Sequence, residues 1–124
     1  MAVPILKQGP FLIATIQAAL TDTDVIQLQE DVMAQVTRHR SRGIIVDVTA
    51  LDVMDSFVSR SLQGIARMTR LRGAETVIVG IQPEVAFAMV QLGMAFEDVL
   101  TALDLEEGLA LLQRPWKEAG DGGG

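Results

Sequence analysis

The sequence contains no cysteine and no tyrosine, and it has one histidine and one tryptophan among 124 residues. Without cysteine the chain cannot form a disulfide, a thiolate nucleophile or a cysteine-based zinc site. Aromatic residues make up 4% of the sequence, so the aliphatic side chains within its 49% apolar share must fill the core. No apolar run reaches the roughly 18 residues that span a bilayer, and the N-terminus lacks a signal-peptide pattern. We therefore expect one cytoplasmic domain.

Positive charge is also scarce. Lys and Arg number 10 against 16 Asp and Glu, which gives a formal net charge of -6. An acidic surface repels the phosphates of nucleic acids and the headgroups of anionic lipids. The composition therefore predicts neither a nucleic-acid partner nor a membrane partner.

The usual catalytic and cofactor signatures are missing as well. There is no P-loop, no G-x-G-x-x-G after a strand, and no nucleophile elbow around Ser56. His39 is the single histidine, and it lies in an arginine-rich helix end that nothing in the sequence places near Ser56. A hard cation could take oxygen ligands from Asp47, Asp52 and Asp55. Their local positions explain them more simply, because Asp47 ends a strand, Asp52 lies in a turn and Asp55 caps a helix. We expect no catalytic residue, no metal and no cofactor.

Hydrophobic periodicity predicts alternating strands and helices. Val3–Lys7 and Phe11–Ile16 flank a Gly-Pro turn and predict a hairpin. The next predicted element is a helix that an Asp24–Gln27 capping box opens and Gly43 closes. Strands at 44–48 and 76–81 then alternate with helices at 55–71 and 83–92. An extended piece near 96–100 and a helix that Asp104 and Glu107 open, ending near Leu112, complete the chain. This order predicts an α/β fold with a mostly parallel sheet and about four helices. The domain should cover residues 1–116, and the Gly-rich residues 117–124 should form a flexible tail.

The stretch VDVTALDVMDSFVSRSLQGI, residues 46–65, leads from a buried strand into a helix through Asp55 and Ser56. In parallel α/β sheets, ligands gather at the carboxyl ends of strands. The simplest function for Asp55 or Ser56 is to cap the helix. A capping serine can also accept a phosphate, because a helix N-terminus tolerates negative charge. Ser59 is the alternative phosphoacceptor, although it lies one turn further in, where fewer N–H groups are free.

Several short pieces of the chain resemble one known family. They are PILK, QED, VDVTALDVMDSF, GIQP and TALDLEEGL, and they span nearly the whole sequence. Together they resemble the STAS family of anti-sigma-factor antagonists, and within it the RsbS-type stressosome scaffolds. Many simpler antagonists carry Ser-Ser-Gly after the aspartate, where this chain has Ser56-Phe57-Val58. That departure favours the stressosome type.

The resemblance implies a STAS fold and a scaffold without enzymatic activity. Such scaffolds co-assemble with paralogues that carry a C-terminal STAS domain, and the assembly sequesters a serine/threonine kinase of the RsbT type. The resemblance implies that Ser56 is the phosphoacceptor and that Asp55 is the acid that precedes it. We assign Asp55 and Phe57 to a partner contact, although a core position is the simpler interpretation of Phe57. The resemblance also implies homo-oligomers. Two alternatives stay open: a direct antagonist that binds a soluble anti-sigma kinase, and a sensor of a small nucleotide or lipid.

Overall fold

The computed structural model describes residues 2–93, 96 and 99–114. Five strands form one sheet in the order β1-β2-β3-β4-β5: β1 Ile5–Gln8, β2 Phe11–Thr15, β3 Gly43–Asp47, β4 Glu75–Val79 and β5 Leu100–Ala102. β1 pairs antiparallel with β2, and the other neighbours pair in parallel. The helices are α1 Asp22–His39, α2 Ser56–Leu71, α3 Pro83–Gln91 and α4 Leu105–Leu112. The predicted α/β class, element order and mixed sheet are confirmed.

The two faces of the sheet carry separate hydrophobic clusters. On one face α1, α2 and α3 pack over the sheet around Leu12, Ile44 and Ile78, which are fully buried. On the other face α4 covers Ile45 and Val77. Burying each such side chain contributes about 1.5–3 kcal/mol. The near-continuous burial of β3 and β4 follows from coverage on both faces.

Two predicted details of α1 are wrong. The capping box lies one turn earlier than Asp24–Gln27: Thr21 Oγ1 accepts a hydrogen bond from the Asp24 N–H at 3.1 Å, and Asp24 Oδ2 accepts one from the Thr21 N–H at 3.0 Å. Gln27 instead donates to Asp31 at 2.8 Å. With Thr21 as the cap, α1 begins one turn earlier, and the Asp24 N–H, which has no partner within the helix, is satisfied.

Gly43 does not close α1. The helix ends at Arg40, which adopts the left-handed conformation with a φ of 49°, and Gly43 begins β3. A Cβ atom on Gly43 would lie 2.7 Å from Leu112 Cδ2, so the glycine lets α4 approach the start of the strand. Glycine therefore leaves room for the Leu112 side chain, a long-range contact that is not visible in the local pattern.

The C-terminal predictions have mixed outcomes. The helix opened by Asp104 and Glu107 is confirmed: Asp104 Oδ1 accepts from the Glu107 N–H at 2.9 Å, and Glu107 Oε1 accepts from the Leu103 N–H at 2.9 Å. The last strand begins at Leu100, later than the predicted extended piece. The predicted domain end at 116 and the tail at 117–124 lie outside the described residues. Within the part of the chain that the structure covers, no helix is long and apolar enough to cross a membrane.

Candidate functional site at the carboxyl edge of the sheet

The parallel strands end together at one edge of the sheet, which we call the carboxyl edge. Thr15 pairs with Asp47, Asp47 pairs with Val79, and Val79 pairs with Ala102. The opposite edge, the amino edge, begins at Phe11, Gly43 and Glu75. α2 starts at the carboxyl edge, because the loop from Val48 to Asp55 leads directly into it.

That loop is folded by its own polar and apolar groups. Asp47 Oδ1 accepts hydrogen bonds from the Thr49 N–H at 2.9 Å and from the Thr49 hydroxyl at 2.6 Å, so the chain turns as soon as β3 ends. Leu51 and Met54 are buried in the larger core cluster, whereas Val53 between them is 75% exposed. The loop is therefore anchored by two side chains and presents the residues between and after them to solvent.

The neighbouring loop after β4 holds this one in place. Gln82 Nε2 donates to the Thr49 carbonyl at 2.7 Å and lies 3.4 Å from Asp52 Oδ1. Gly80 adopts a φ of +79°, and a Cβ atom there would collide with Thr49 Oγ1. Only glycine allows both this conformation and this approach. The two loops consequently form one surface at the carboxyl edge.

Asp55 and Ser56 lie where α2 begins. Asp55 is the N-cap residue, and its Oδ1 accepts from the Val58 N–H at 2.8 Å. Ser56, the first helical residue, is exposed. Phe57 is half-buried and packs against the larger core cluster, which accounts for part of its ring. The cap predicted for Asp55 or Ser56 therefore belongs to Asp55, and it leaves the hydroxyl of Ser56 at the surface.

Ser59 lies in a different environment from Ser56. It is 3% exposed, and its hydroxyl oxygen has no hydrogen-bond partner. A kinase must place a serine hydroxyl against the γ-phosphate of ATP, which a side chain sealed in the core cannot reach without local opening. The exposed Ser56 meets that requirement in the folded state.

In the described part of the chain no histidine lies beside Ser56 at this edge, and the neighbouring Asp55 carboxylate caps α2. His39 is the last helical residue before the Arg40 cap of α1 and lies at the amino edge, whereas α1 begins at the carboxyl edge. An 18-residue helix is about 27 Å long, so His39 is remote from Ser56. Asp47, Asp52 and Asp55 do not converge either, and no group of three or more His, Asp or Glu that could hold a metal is found in the described ranges.

A cavity bears on the small-ligand alternative. It lies beside the end of β2 and the start of α1, is lined by Val3, Thr15, Leu20 and Asp24 among others, and has a volume of about 40 Å³. Sites for drug-sized ligands enclose roughly 300–1,000 Å³. This cavity is too small for a nucleotide or a lipid.

Sequence reasoning selected Asp55, Ser56, Phe57 and Ser59 and missed the residues that support them. Gln82 stands in the GIQP piece, but a glutamine before a proline gives no local sign of a bond to a carbonyl 33 positions earlier. For Gly80 the sequence did contain a signal, because a glycine that directly follows a buried strand often marks a special backbone position. It would have pointed to a tight backbone position, although not to Thr49 as the neighbour.

Comparison with known proteins agrees with the fold. The model of the STAS domain matches residues 2–108. The RsbT co-antagonist protein RsbRA of Bacillus subtilis (strain 168) is 31% identical over 83 residues, which cover 67% of this chain and 30% of that protein. The chain thus spans less than a third of the length of this relative.

Two solved structures match over nearly their whole length. RsbS of Moorella thermoacetica, in a variant with a serine replaced by glutamate, is 36% identical with a TM-score of 0.78, covering 90% of this chain and 94% of that one. A chain from a structure that describes the molecular architecture of the stressosome, a signal integration and transduction hub, is 35% identical with a TM-score of 0.73, covering 89% and 96%. These similarities confirm the resemblance to RsbS-type stressosome proteins. The chain belongs to the STAS-domain family.

Proposed function

We propose that this protein is a cytoplasmic, non-enzymatic stressosome scaffold that retains a serine/threonine kinase of the RsbT type and is switched by phosphorylation of Ser56. It would co-assemble with paralogues that carry a C-terminal STAS domain and with further copies of itself. The observation that carries the proposal is the contrast between two serines on α2: Ser56 is exposed beside its cap, and Ser59 is 3% exposed. The similarity to stressosome proteins over about nine-tenths of the chain supports the same function.

The switch follows from where the phosphate would be placed. A phosphoserine carries nearly two negative charges and three acceptor oxygens. At the first position of α2 it would face the N–H groups of the first turn and the positive end of the helix dipole, so the fold should tolerate it. Asp55 stands next to it, and Asp52 lies in the loop that leads to it. The added charge would therefore alter the surface that a partner meets while leaving α2 intact.

We assign Asp55 and Phe57 to the contact with the partner. Asp55 is exposed although one of its oxygens is engaged with the Val58 N–H, so the second oxygen is available to a cation on the partner. Phe57 exposes part of its ring next to Ser56. Aromatic side chains that fill a pocket on a partner often supply much of the binding energy of an interface.

The decisive experiment is phosphosite mapping after incubation with an RsbT-type kinase and ATP, on the unmodified chain, on Ser56→Ala and on Ser59→Ala. We expect phosphate on Ser56 in the unmodified chain and in Ser59→Ala, and none in Ser56→Ala. Kinase retention, measured by co-sedimentation before and after the addition of ATP, should fall for the unmodified chain and for Ser59→Ala and should persist for Ser56→Ala. Phosphate on Ser59, or normal kinase release from Ser56→Ala, would contradict the assignment.

A second candidate function is the direct antagonist that binds a soluble anti-sigma kinase. Size-exclusion chromatography with both kinds of partner separates the two. A large co-assembly with STAS paralogues supports the scaffold, whereas a one-to-one complex with an anti-sigma kinase supports the antagonist. The small cavity beside β2 gives no support to a nucleotide or lipid sensor, and a calorimetric titration showing such binding would reopen that hypothesis.

A further inference from the structure

Arg60 is the cation that the described residues place nearest to Ser56 along α2. It follows Ser56 by four residues, and both side chains are exposed. Four residues advance an α-helix by about 6 Å and turn it by about 40° beyond one full turn. Side chains at this spacing are neighbours on the helix surface, with their Cβ atoms about 5–6 Å apart. A group attached to the Ser56 hydroxyl would therefore lie beside the Arg60 side chain.

The packing of α2 leaves these two side chains together on one exposed face. The three residues between Ser56 and Arg60 are half-buried or buried, and so are the three that follow Arg60. They are Phe57, Val58, Ser59, Ser61, Leu62 and Gln63. Ser56 and Arg60 are thus the exposed residues of the first two turns of α2.

The guanidinium of Arg60 is not committed to another acid. In the part of the chain that the structure describes, Arg60 makes no ion pair, whereas Arg70 in the last turn of the same helix lies 3.5 Å from Glu75 Oε1. The Asp55 carboxylate, five positions before Arg60, has one oxygen engaged with the Val58 N–H. Arg60 is therefore available to an anion that is placed on Ser56.

The other charges at this end of α2 are negative. Asp55 directly precedes Ser56, Asp52 lies in the loop before it, and Glu84 opens α3 at the same edge of the sheet. All three acids are exposed. The second pKa of a phosphoserine is about 6; nearby acids raise it and a nearby cation lowers it. A phosphate on Ser56 would thus meet acids that oppose its second charge and one cation, Arg60, that favours it.

We propose that Arg60 binds the phosphate on Ser56 and keeps it doubly charged at neutral pH. Arginine suits this contact because its planar guanidinium can donate two parallel hydrogen bonds to phosphate oxygens. The order also fits, since an acid four residues before a base is the more favourable of the two arrangements on a helix. Arg60 is then a positioning residue of the switch. The inference rests on the proposed function, because it takes Ser56 as the residue that carries the phosphate.

The pairing changes what phosphorylation presents to a partner. Without Arg60, a rise in the second pKa of the phosphate from about 6 to about 6.5 would increase its singly charged share at pH 7 from about a tenth to about a quarter. With Arg60 the phosphate keeps both charges, and the guanidinium is withdrawn from any acid on the partner. Phosphorylation would therefore add two negative charges and mask one positive charge on the same surface.

The test uses the whole chain with phosphoserine incorporated at position 56 during translation, so that it needs no kinase. This protein is compared with the same protein carrying Arg60→Gln, Arg60→Lys or Arg67→Gln. Arg67 is an exposed cation on the same helix. It lies about 16 Å further along the helix than Ser56, beyond the Debye length of about 8 Å at physiological salt. Arg67→Gln therefore removes the same charge at a distance. A pH titration followed by phosphorus NMR measures the second pKa of the phosphoserine, and circular dichroism compares the helix content of the four proteins.

We expect the second pKa of the phosphate to be higher by about 0.5 in Arg60→Gln than with Arg60 present. Arg67→Gln should leave that pKa unchanged, and Arg60→Lys should keep most of the lowering because it retains the charge. Equal values with Arg60 and with Arg60→Gln, an equal rise in Arg67→Gln, or an Arg60→Lys protein that matches Arg60→Gln would each overturn the inference.

The outcome is separable from that of the proposed function. Because the phosphate is built into the chain, an unchanged pKa in Arg60→Gln would overturn the contact without affecting the mapping of the kinase site to Ser56. Mapping of the kinase site to Ser59 would overturn the proposed function without altering the measured difference in phosphate pKa.

Discussion

The side-chain amide of Gln82 donates a hydrogen bond of 2.7 Å to the carbonyl oxygen of Thr49. This bond joins the loop after β4 to the loop after β3, which are 33 positions apart in the chain. The loop after β3 ends at Asp55, and Ser56 follows it as the first residue of α2. The position of the proposed phosphoacceptor therefore depends on a residue that is not part of its own loop.

Replacing Gln82 by alanine should loosen that loop. One hydrogen bond contributes about 0.5–1.5 kcal/mol to stability, and we expect a loss in that range in urea unfolding. Hydrogen exchange of the backbone amides between Thr49 and Ser56 should become faster, because the loop loses its tie to the neighbouring one. Gln91→Ala, at an exposed position near the end of α3, is the matched control. Equal exchange in the two variants would show that Gln82 does not hold the loop.

Gly80→Ala should destabilise the protein by two separable effects. The φ of +79° is strained for alanine, and the new Cβ would collide with Thr49 Oγ1. Gly73 has a φ of +82° with no atom within 4 Å of an added Cβ, so Gly73→Ala measures the conformational effect alone. We expect about 1 kcal/mol for Gly73→Ala and a further 1–3 kcal/mol for Gly80→Ala, by analogy with overpacked sites. Equal losses in thermal or urea unfolding would mean that Thr49 moves away without cost.

The sequence was sufficient for the elements because each has local determinants. The spacing of Val25, Leu28, Val32 and Val36 predicts the buried side of α1, and all four are buried. Asp55 and Asp104 predict the starts of α2 and α4 because a carboxylate can accept from a free first-turn N–H, and both do so. Errors arose where two local signals competed, as between Thr21 and Asp24 for the first cap.

Long-range contacts could not be predicted in the same way. Gly43 looks like the end of a helix until Leu112, nearly 70 positions later, is packed against it. Ser59 and Ser56 are both serines in the first turns of one helix, and only the packing of α2 on the sheet buries one and exposes the other. The residues of the candidate site could therefore be named from the sequence, whereas their supporting contacts and the difference in burial between Ser56 and Ser59 required the tertiary structure.

Ser59→Ala should not weaken the fold. The buried hydroxyl of Ser59 has no hydrogen-bond partner, so its removal relieves a desolvation penalty without breaking a bond. Alanine also has the higher helix propensity, worth about 0.5 kcal/mol. We expect the free energy of unfolding to rise by about 0.5–1.5 kcal/mol, measured by urea denaturation. A loss of stability above about 1 kcal/mol would show that the hydroxyl binds a buried water or another group.

The last prediction separates the two functions assigned to Asp55. Asp55→Asn keeps an oxygen that can accept from the Val58 N–H, so its stability should stay within about 0.5 kcal/mol of the unmodified chain. Asp55→Ala loses the cap and about 1 kcal/mol. If the carboxylate charge of Asp55 contacts the kinase, both variants should bind the kinase more weakly, whatever their stability. Asp104 caps α4 through the same kind of hydrogen bond, since its Oδ1 accepts from the Glu107 N–H at 2.9 Å, and it supplies the matched pair Asp104→Asn and Asp104→Ala. We expect the Asp104 pair to reproduce the stability changes without a change in kinase affinity, measured by calorimetry. Normal kinase affinity in Asp55→Asn would reduce Asp55 to a helix cap and remove it from the proposed contact.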